Sequence, residues 1–211
     1  LEEGFSRISI GEINESSTVP LIRIVRDDSF RDSVFQDPVE LKADIIDTLG
    51  DAGILGVDDA SITLIADGDI RSPNIIAPGQ AVSLRSLNGN ILIDNRSILA
   101  QPTGDRGSSV TIIGNSLEMV NAAIDAINSE AISGSEGDLP SIMINVVNSI
   151  RLIDSSILSL TNGSANASNI EIMAGGKVSL EGLSTINTVS TGNASGNGGD
   201  ILISATSLTL E

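Results

Sequence analysis

The feature of this sequence that most constrains its fold is a short repeated pattern. Six segments begin with a small or polar residue and then place aliphatic residues two positions apart. Alternation with a period of two is typical of a β-strand that buries one face. The segments are SITLIA (Ser61–Ala66), AVSLRS (Ala81–Ser86), SVTIIG (Ser109–Gly114), SIMINV (Ser141–Val146), NIEIMA (Asn169–Ala174) and DILISA (Asp200–Ala205).

Two further apolar rows follow each segment, separated by turn-forming residues such as Asn, Gly and Ser. The second row is Ile91/Ile93, Leu117/Met119, Ile150/Leu152, Val178/Leu180 and Leu208/Leu210, with Ile70 alone in the first unit, and the third is Ile98, Ile124, Ile157 and Ile186. Each unit therefore reads as strand, turn, strand, turn, short strand and loop.

The units differ in length, because their first strands recur after 20, 28, 32, 28 and 31 residues. The variation falls in closing loops rich in Gly, Ser and Asn, which are Gln101–Ser108, Asn128–Pro140, Thr161–Ser168 and Thr188–Gly199. A three-strand coil that repeats with its aliphatic residues in register predicts an all-β fold, a right-handed parallel β-helix or solenoid. Each strand would pair with its counterpart one coil further on, about 4.8 Å away.

Composition agrees with this fold. The chain is 40% hydrophobic but only 1% aromatic, with no Trp or Tyr. Rows of aliphatic side chains that stack in successive coils fill a core without large rings. We expect residues 1–211 to form a single β-helix, with regular coils over 61–211 and more irregular amino-terminal coils over 1–60. RISIGEI (Arg7–Ile13), PLIRIV (Pro20–Val25) and SVFQDPVELKA (Ser33–Ala43) are the candidate strands of those earlier coils.

Two segments also fit a helix. In Ser116–Ala131, Leu117, Val120 and Ile124 fall at helical spacing, and Leu41–Leu49 is similar. Ser116–Ala131 coincides with the second and third strands of its unit, so the repeat favours a coil. A coil is also the prediction for Leu41–Leu49, and a helix is the alternative in both places.

Charge and missing residue types exclude several functions. The chain has no Cys and no His, which removes disulfides, thiolate metal sites and catalysis by serine–histidine or cysteine–histidine pairs. Its net charge of −17 disfavours binding to nucleic acid or to anionic lipid. No apolar run approaches the roughly 18 residues that span a bilayer, so we expect no membrane insertion.

The stretch SGNGGDILI (Ser195–Ile203) resembles a calcium-binding β-roll nonapeptide, in which Asp200 would be the ligand. Such sites need tandem copies, because successive turns share each ion, and the chain has one imperfect copy. We interpret the stretch as a glycine-rich turn that leads into a strand, and we predict no metal site.

Charged residues beside the strands raise the possibility of glycan cleavage. Asp94 with Arg96, and Arg151 with Asp154, are expected at comparable positions in different coils, where two carboxylates could serve as acid and base. Sugar clefts normally offer aromatic platforms, which this chain lacks. The sequons at Asn162 and Asn166 are expected to arise by chance in a Ser/Asn-rich loop. We therefore assign no catalytic, cofactor-binding or metal-ligating residue, and we expect no cofactor.

Several segments resemble the large secreted proteins with filamentous-haemagglutinin-like repeats, especially those of cyanobacteria. GNGGDILISATSLTLE (Gly196–Glu211) and SILSLTNGSANASNIEIMAGGKVSLEG (Ser156–Gly182) look like two phases of that repeat, and FSRISIGEI, VFQDPVELKA and ASITLIADGDIRSPNIIAPGQAVSLRS look like its earlier coils. The resemblance covers nearly the whole chain and is weakest around Thr48–Asp58.

The resemblance implies a non-catalytic stalk or adhesin segment, exported by two-partner secretion and displayed extracellularly or at the outer membrane. Its expected partners are surface glycans or other cell-surface proteins, with an outer-membrane secretion partner for the parent protein. The opening Leu1-Glu2-Glu3 is interpreted as part of a longer protein. The alternatives are a β-helical polysaccharide-active enzyme and a calcium-stabilised secreted domain.

Overall fold

The fold is a stack of three-strand coils. In this computed structural model, the structure describes residues 8–10, 21–25, 33–35, 39–43, 45–49, 53–56, 61–78, 81–101, 109–128, 141–164, 166–192 and 194–211. Every regular element within these ranges is a strand. The strands are β1 (Ile8–Ile10), β2 (Leu21–Val25), β3 (Ser33–Phe35), β4 (Val39–Ala43), β5 (Ile45–Leu49), β6 (Gly53–Gly56), β7 (Ile62–Ala66), β8 (Ile70–Arg71), β9 (Asn74–Pro78), β10 (Ala81–Ser86), β11 (Ile91–Asp94), β12 (Ser97–Gln101), β13 (Ser109–Gly114), β14 (Leu117–Val120), β15 (Ala123–Asn128), β16 (Ser141–Val146), β17 (Ile150–Ile153), β18 (Ser156–Thr161), β19 (Asn169–Ala174), β20 (Lys177–Glu181), β21 (Thr185–Ser190), β22 (Ile201–Ser204) and β23 (Ser207–Leu210).

These strands form three sheets that run along the stack. Sheet 1 has the order β22-β19-β16-β13-β10-β7-β4, sheet 2 the order β1-β2-β5-β8-β11-β14-β17-β20-β23, and sheet 3 the order β21-β18-β15-β12-β9-β6-β3. The chain visits sheets 1, 2 and 3 in turn, and every third strand pairs with its counterpart in parallel. The predicted all-β parallel β-helix is confirmed.

The helical alternatives are wrong in both places. Ser116–Ala131 contains β14 and β15, and Leu41–Leu49 contains parts of β4 and all of β5. The spacing of apolar residues in these segments is compatible with a helix. Pairing with the neighbouring coils decides for strands, because each strand then shares its backbone hydrogen bonds with both neighbours.

The amino-terminal region follows the coil pattern except at its first strand. β2 pairs with β5 in parallel, and β3 and β4 take places in sheets 3 and 1. β1 pairs with β2 antiparallel, with Ile8 opposite Ile24. Of the predicted coil segment Arg7–Ile13, the structure describes Ile8–Ile10. These residues differ from the prediction, because a coil strand must run parallel to its neighbour.

The core consists of aliphatic rows that run through the sheets. In sheet 1, successive coils place one inward residue in register at each level, namely Ile62, Val82, Val110, Ile142, Ile170 and Ile201. The first five are fully buried, whereas Ile201 is 42% exposed. A coil therefore has no core of its own, and its inward side chains are shielded by the coils on either side.

The corner between sheets 2 and 3 repeats an unusual backbone conformation. Asn95, Asn121, Asp154 and Gly182 occupy this corner in successive coils with φ between 46° and 66°. Each of these residues donates its amide to a carbonyl one coil further on, over 2.9–3.1 Å. Asn, Asp and Gly tolerate the left-handed region at low cost, so this residue choice shapes a sharp turn that stacks on itself.

Truncating one row at two levels tests whether shielding by neighbouring coils stabilises the core. We expect Ile170→Ala to lower the free energy of unfolding by about 2–5 kcal/mol, because it leaves a cavity in a dry interior. Ile201→Ala makes the same chemical change at the exposed level of the same row, and we expect roughly half that cost or less. Denaturant unfolding followed by far-UV circular dichroism measures both, and equal losses would contradict the stacked-row account.

Candidate functional site

The glycine-rich stretch Ser195–Ile203 is held by the loop of the preceding coil. Asp200 donates its amide to Asn169 Oδ1 over 2.8 Å, and its carbonyl accepts the amide of Ile170 over 2.8 Å. Asn197 makes the same kind of contact with Asn166 Oδ1 over 2.8 Å. Side-chain oxygens of the lower loop thus bind backbone amides of the upper loop, which places Asp200 at the start of a strand, as Asn169 is one coil earlier.

Close stacking explains a glycine in this stretch. A Cβ atom on Gly199 would lie 2.3 Å from the carbonyl oxygen of Ser168, a distance that forces the backbone apart. Within the described residues, no group of three or more Asp, Glu, His or Cys side chains is arranged to hold a metal ion. Gly199 therefore has a packing role at this point of the stack.

The closing loops are described in part. The loops Thr161–Ser168 and Thr188–Gly199 stack on each other through bonds such as Ser195 N–H to Gly163 O, over 3.0 Å. The sequon residues Asn166 and Ser168 take part in this stacking. Ser168 is fully buried, and Asn166 Oδ1 accepts a hydrogen bond from the backbone amide of Asn197. Residues 102–108 and 129–140 of the two earlier closing loops lie outside the described residues.

Substitutions in the glycine-rich stretch separate packing from calcium binding. We expect Gly199→Ala to lower the free energy of unfolding by about 1–3 kcal/mol, since the added methyl group meets backbone. The exposed Asp200 gives the matched control, and Asp200→Ala should leave stability within about 0.5 kcal/mol of the original. Thermal melts with Ca²⁺ and with chelator should coincide for all three proteins, and a calcium-dependent rise that Asp200→Ala abolishes would contradict the packing role.

The four charged residues predicted at comparable positions lie at different levels of the coil. Arg151 is in register with Glu118, which is in register with Leu92, whereas Asp94 shares its row with Val120 and Ile153. Asp154 lies at the left-handed corner, where its Oδ1 accepts the Leu183 amide over 3.0 Å.

Arg96 lies just past the same corner, two coils from Asp154. Its Nη1 donates to the Asn95 carbonyl over 3.0 Å, and Asp94 Oδ1 accepts Asn95 Nδ2 over 2.7 Å. The prediction that the two pairs occupy equivalent positions is therefore wrong. Asp94 is aligned with Ile153 and not with Asp154, and Arg151 is aligned with Leu92 and not with Arg96.

Arg151 is the centre of an ion-pair cluster on the outside of sheet 2. It donates to Glu181 through Nε over 2.9 Å and Nη2 over 2.7 Å, and to Glu118 through Nη1 over 3.0 Å. The hydrogen bonds to Glu181 and then Glu118 raise the pKa of the Arg151 guanidinium. The hydrogen bonds from Arg151 lower the pKa of the Glu181 carboxyl below its ordinary 4.5. The cluster links three coils, and both of its carboxylates accept hydrogen bonds from Arg151.

The lowered Glu181 pKa gives a dependence of stability on pH. Because the ionised form is favoured in the folded chain, its stabilising effect is present above pH 4.5 and disappears as the pH falls through the lowered folded value. We expect Glu181→Gln to be less stable than the original chain at pH 7, with the gap closing in acid and in about 1 M salt. Glu171→Gln, on the outside of sheet 1, should show no such gap in urea unfolding. A gap for Glu181→Gln that persists at low pH would refute the assignment.

A groove crosses the outside of sheet 2 at the level of β5, β8 and β11. It has a volume of about 420 Å³, and its floor is formed by the buried Ile46 and Ile70. Asp47, Asp69, Arg71, Asn90, Ile45 and Leu92 form its sides. Arg71 Nε lies 3.8 Å from Asp47 Oδ1, and Asp69 Oδ1 accepts the Asn90 amide over 2.7 Å. Both carboxylates are thus engaged in contacts with neighbouring coils.

The outer surfaces of the three sheets differ in chemistry. Sheet 2 carries most of the charge, at Asp47, Arg71, Asp94, Glu118, Arg151 and Glu181. Sheet 1 is mixed, with outward residues such as Thr63, Arg85 and Glu171. In β9, β12, β15, β18 and β21 of sheet 3, the outward side chains include six large aliphatic ones around one charged residue, Asp125. We call this surface the apolar face, and its aliphatic members are Ile76, Leu99, Ile127, Leu158, Leu160 and Val189.

Sequence reasoning did not identify the apolar face. The signal was present as aliphatic doublets, Ile75-Ile76, Ile98-Leu99 and Ile157-Leu158, at the start of the third strand. The first member of each doublet points inward, and the second therefore points outward. Only the register shows that these second members come together in one surface.

Comparison with known proteins leaves the fold and these surfaces as the basis for any functional conclusion. No protein-family model, curated protein or solved structure matches the chain. The described residues also contain no helix of the length and apolarity that a membrane crossing requires.

Proposed function

We propose that this chain is a structural and adhesive segment of a β-helical stalk in a large secreted or cell-surface protein, and that it is non-catalytic. The observation that carries this proposal is the unbroken parallel stack from β4 to β23, in which each coil repeats the same inward rows. Such a stack is a rigid spacer with long flat surfaces, and its function lies in projecting and presenting those surfaces.

The chemistry of the outer surfaces supports a non-catalytic function. The carboxylates of the sheet 2 cluster are bound by Arg151, and those of the groove contact Arg71 or a backbone amide. Ion pairs and hydrogen bonds that link successive coils stabilise a stack. An acid–base pair for glycan hydrolysis needs instead a carboxylic acid poised to give up a proton beside a second, ionised carboxylate.

The resemblance to filamentous-haemagglutinin-like repeats extends the proposal to location and partners. A protein of that kind is exported by two-partner secretion, through an outer-membrane partner, and remains extracellular or at the cell surface. The proposed ligands are surface glycans or other cell-surface proteins. Net charge of −17 agrees with a surface that stays soluble and avoids anionic lipid and nucleic acid.

The second candidate is a polysaccharide-active β-helix, and the groove is the observation that favours it. Asp47, Asp69 and Arg71 line a concave site of a size that holds a small ligand. A sugar would have to displace the contact between Arg71 and Asp47 before either charge could act on it.

The stalk proposal predicts adhesion without turnover. Beads coated with the folded chain should be retained on bacterial cell layers or glycan-coated surfaces more strongly than beads coated with the heat-unfolded chain. The physical reason is that the contact surfaces exist only when the coils are stacked. Bead retention under flow is the measurement, and equal retention of folded and unfolded chains would sink the adhesive proposal.

Glycan turnover by the same preparation decides between the two candidates. The chain should release no reducing ends from polyuronates or neutral glucans above a buffer blank. Activity that Asp69→Asn removes while Glu171→Gln retains it would establish the enzyme instead, because only the first substitution alters the groove.

A further inference from the structure

The apolar face is continuous across several coils. Its central row runs Ile76, Leu99, Asp125, Leu158 and Asn187 in register along sheet 3. A second row places Ile127, Leu160 and Val189 side by side. Ile76 is 38% exposed, and the other aliphatic members are partly exposed. A contiguous aliphatic patch of this kind marks an interaction site more often than scattered surface aliphatics do.

Within the described residues, Asp125 has no hydrogen-bond or ion-pair partner, unlike the carboxylates on sheet 2 that contact arginines. Asp47, Glu118 and Glu181 each lie within 4 Å of an arginine nitrogen. No hydrogen bond or ion pair involves the Asp125 side chain in the described part of the chain. Its outward neighbours in register are Leu99 and Leu158, neither of which titrates. Burial among such side chains raises the pKa of the Asp125 carboxyl.

We propose that the apolar face docks a protein partner that presents aliphatic side chains around a single arginine or lysine, and that this cation meets Asp125. The aliphatic rows supply the area that is removed from water on contact. The half-buried carboxylate has already lost part of its hydration, so a cation placed over it recovers charge–charge attraction at a reduced further desolvation cost. The inference goes beyond the proposed function and does not depend on where the chain is displayed.

Charge argues against two other occupants of this face. A second copy also carries a net charge of −17, so two copies would repel each other as they approach. A two-fold contact on the same rows would add a second uncompensated Asp125 to the interface. A lipid surface would leave the carboxylate in an apolar medium without a cation, and anionic headgroups would repel the chain. A protein surface that carries aliphatic side chains and a cation can cover the aliphatic rows and also pair with the Asp125 carboxylate.

A labelled peptide tests the proposal on the intact chain. The probe is a short peptide in which leucine, arginine and leucine occupy alternate positions between threonines, and fluorescence polarisation measures its binding. We expect Asp125→Lys to weaken binding about tenfold or more, because the central attraction becomes repulsion. Glu171→Lys is the matched control. It makes the same change in net charge on the outside of sheet 1, and binding should stay at the original level.

The outcomes divide clearly. A peptide with glutamate in place of arginine, or with serine in place of leucine, should bind about tenfold more weakly. Equal weakening by Asp125→Lys and Glu171→Lys would show attraction to net charge alone, and absence of binding to the original chain would also overturn the proposal.

Sedimentation of the chain as a dimer that Leu158→Lys disrupts would assign the face to a second copy. Flotation with phosphatidylcholine–phosphatidylglycerol vesicles would assign it to lipid. Circular dichroism confirms that each variant is folded.

Discussion

The register between parallel coils is the constraint on which the rest of this structure depends. The inward aliphatic residues of successive coils stack on one another in register, and backbone hydrogen bonds fix that alignment. Because the side-chain period of a strand is two, a slip of one residue would move a whole row from the core to water. Ile170 lies in a strand that pairs on both sides, and it is fully buried. Ile201 lies in the end strand of the same sheet, which pairs on one side, and it is 42% exposed.

The same register organises the corners and loops. At the corner between sheets 2 and 3, residues with a left-handed backbone conformation, such as Asn121 and Asp154, stack on one another. Each donates its backbone amide to a carbonyl of the next coil. At the corner between sheets 1 and 2, the side chains of Asn88 and Asn115 bind the coil before them. Most of the variation in coil length falls between sheets 3 and 1. Asn128 helps to close that corner, since its Nδ2 donates to Ser168 Oγ over 2.9 Å.

A stack of this kind separates stability from function. Inward residues are nearly uniform and serve the core, while the outward residues of each sheet form an independent surface. The outside of sheet 2 pairs three of its carboxylates with Arg71 and Arg151. The outside of sheet 3 collects aliphatic side chains around Asp125, which makes no hydrogen bond or ion pair within the described residues. The proposed stalk and the proposed docking face are therefore compatible, because the outside of one sheet can change without disturbing the rows inside.

The sequence by itself determined the strands, the inward rows and their phase. Ile62, Val82, Val110, Ile142, Ile170 and Ile201 were aligned from the period-two pattern, and the structure pairs them in that order. The pattern works for these residues because burial restricts every inward position to the same few residue types. The sequence did not reveal the antiparallel pairing of β1, the strand β9, the separation of Asp94 from Arg151, or the apolar face. The last two features depend on which outward residues become neighbours across coils that are 20 to 32 residues apart in the chain. Loops of uneven length hide that adjacency in the sequence, and only the three-dimensional register decides it.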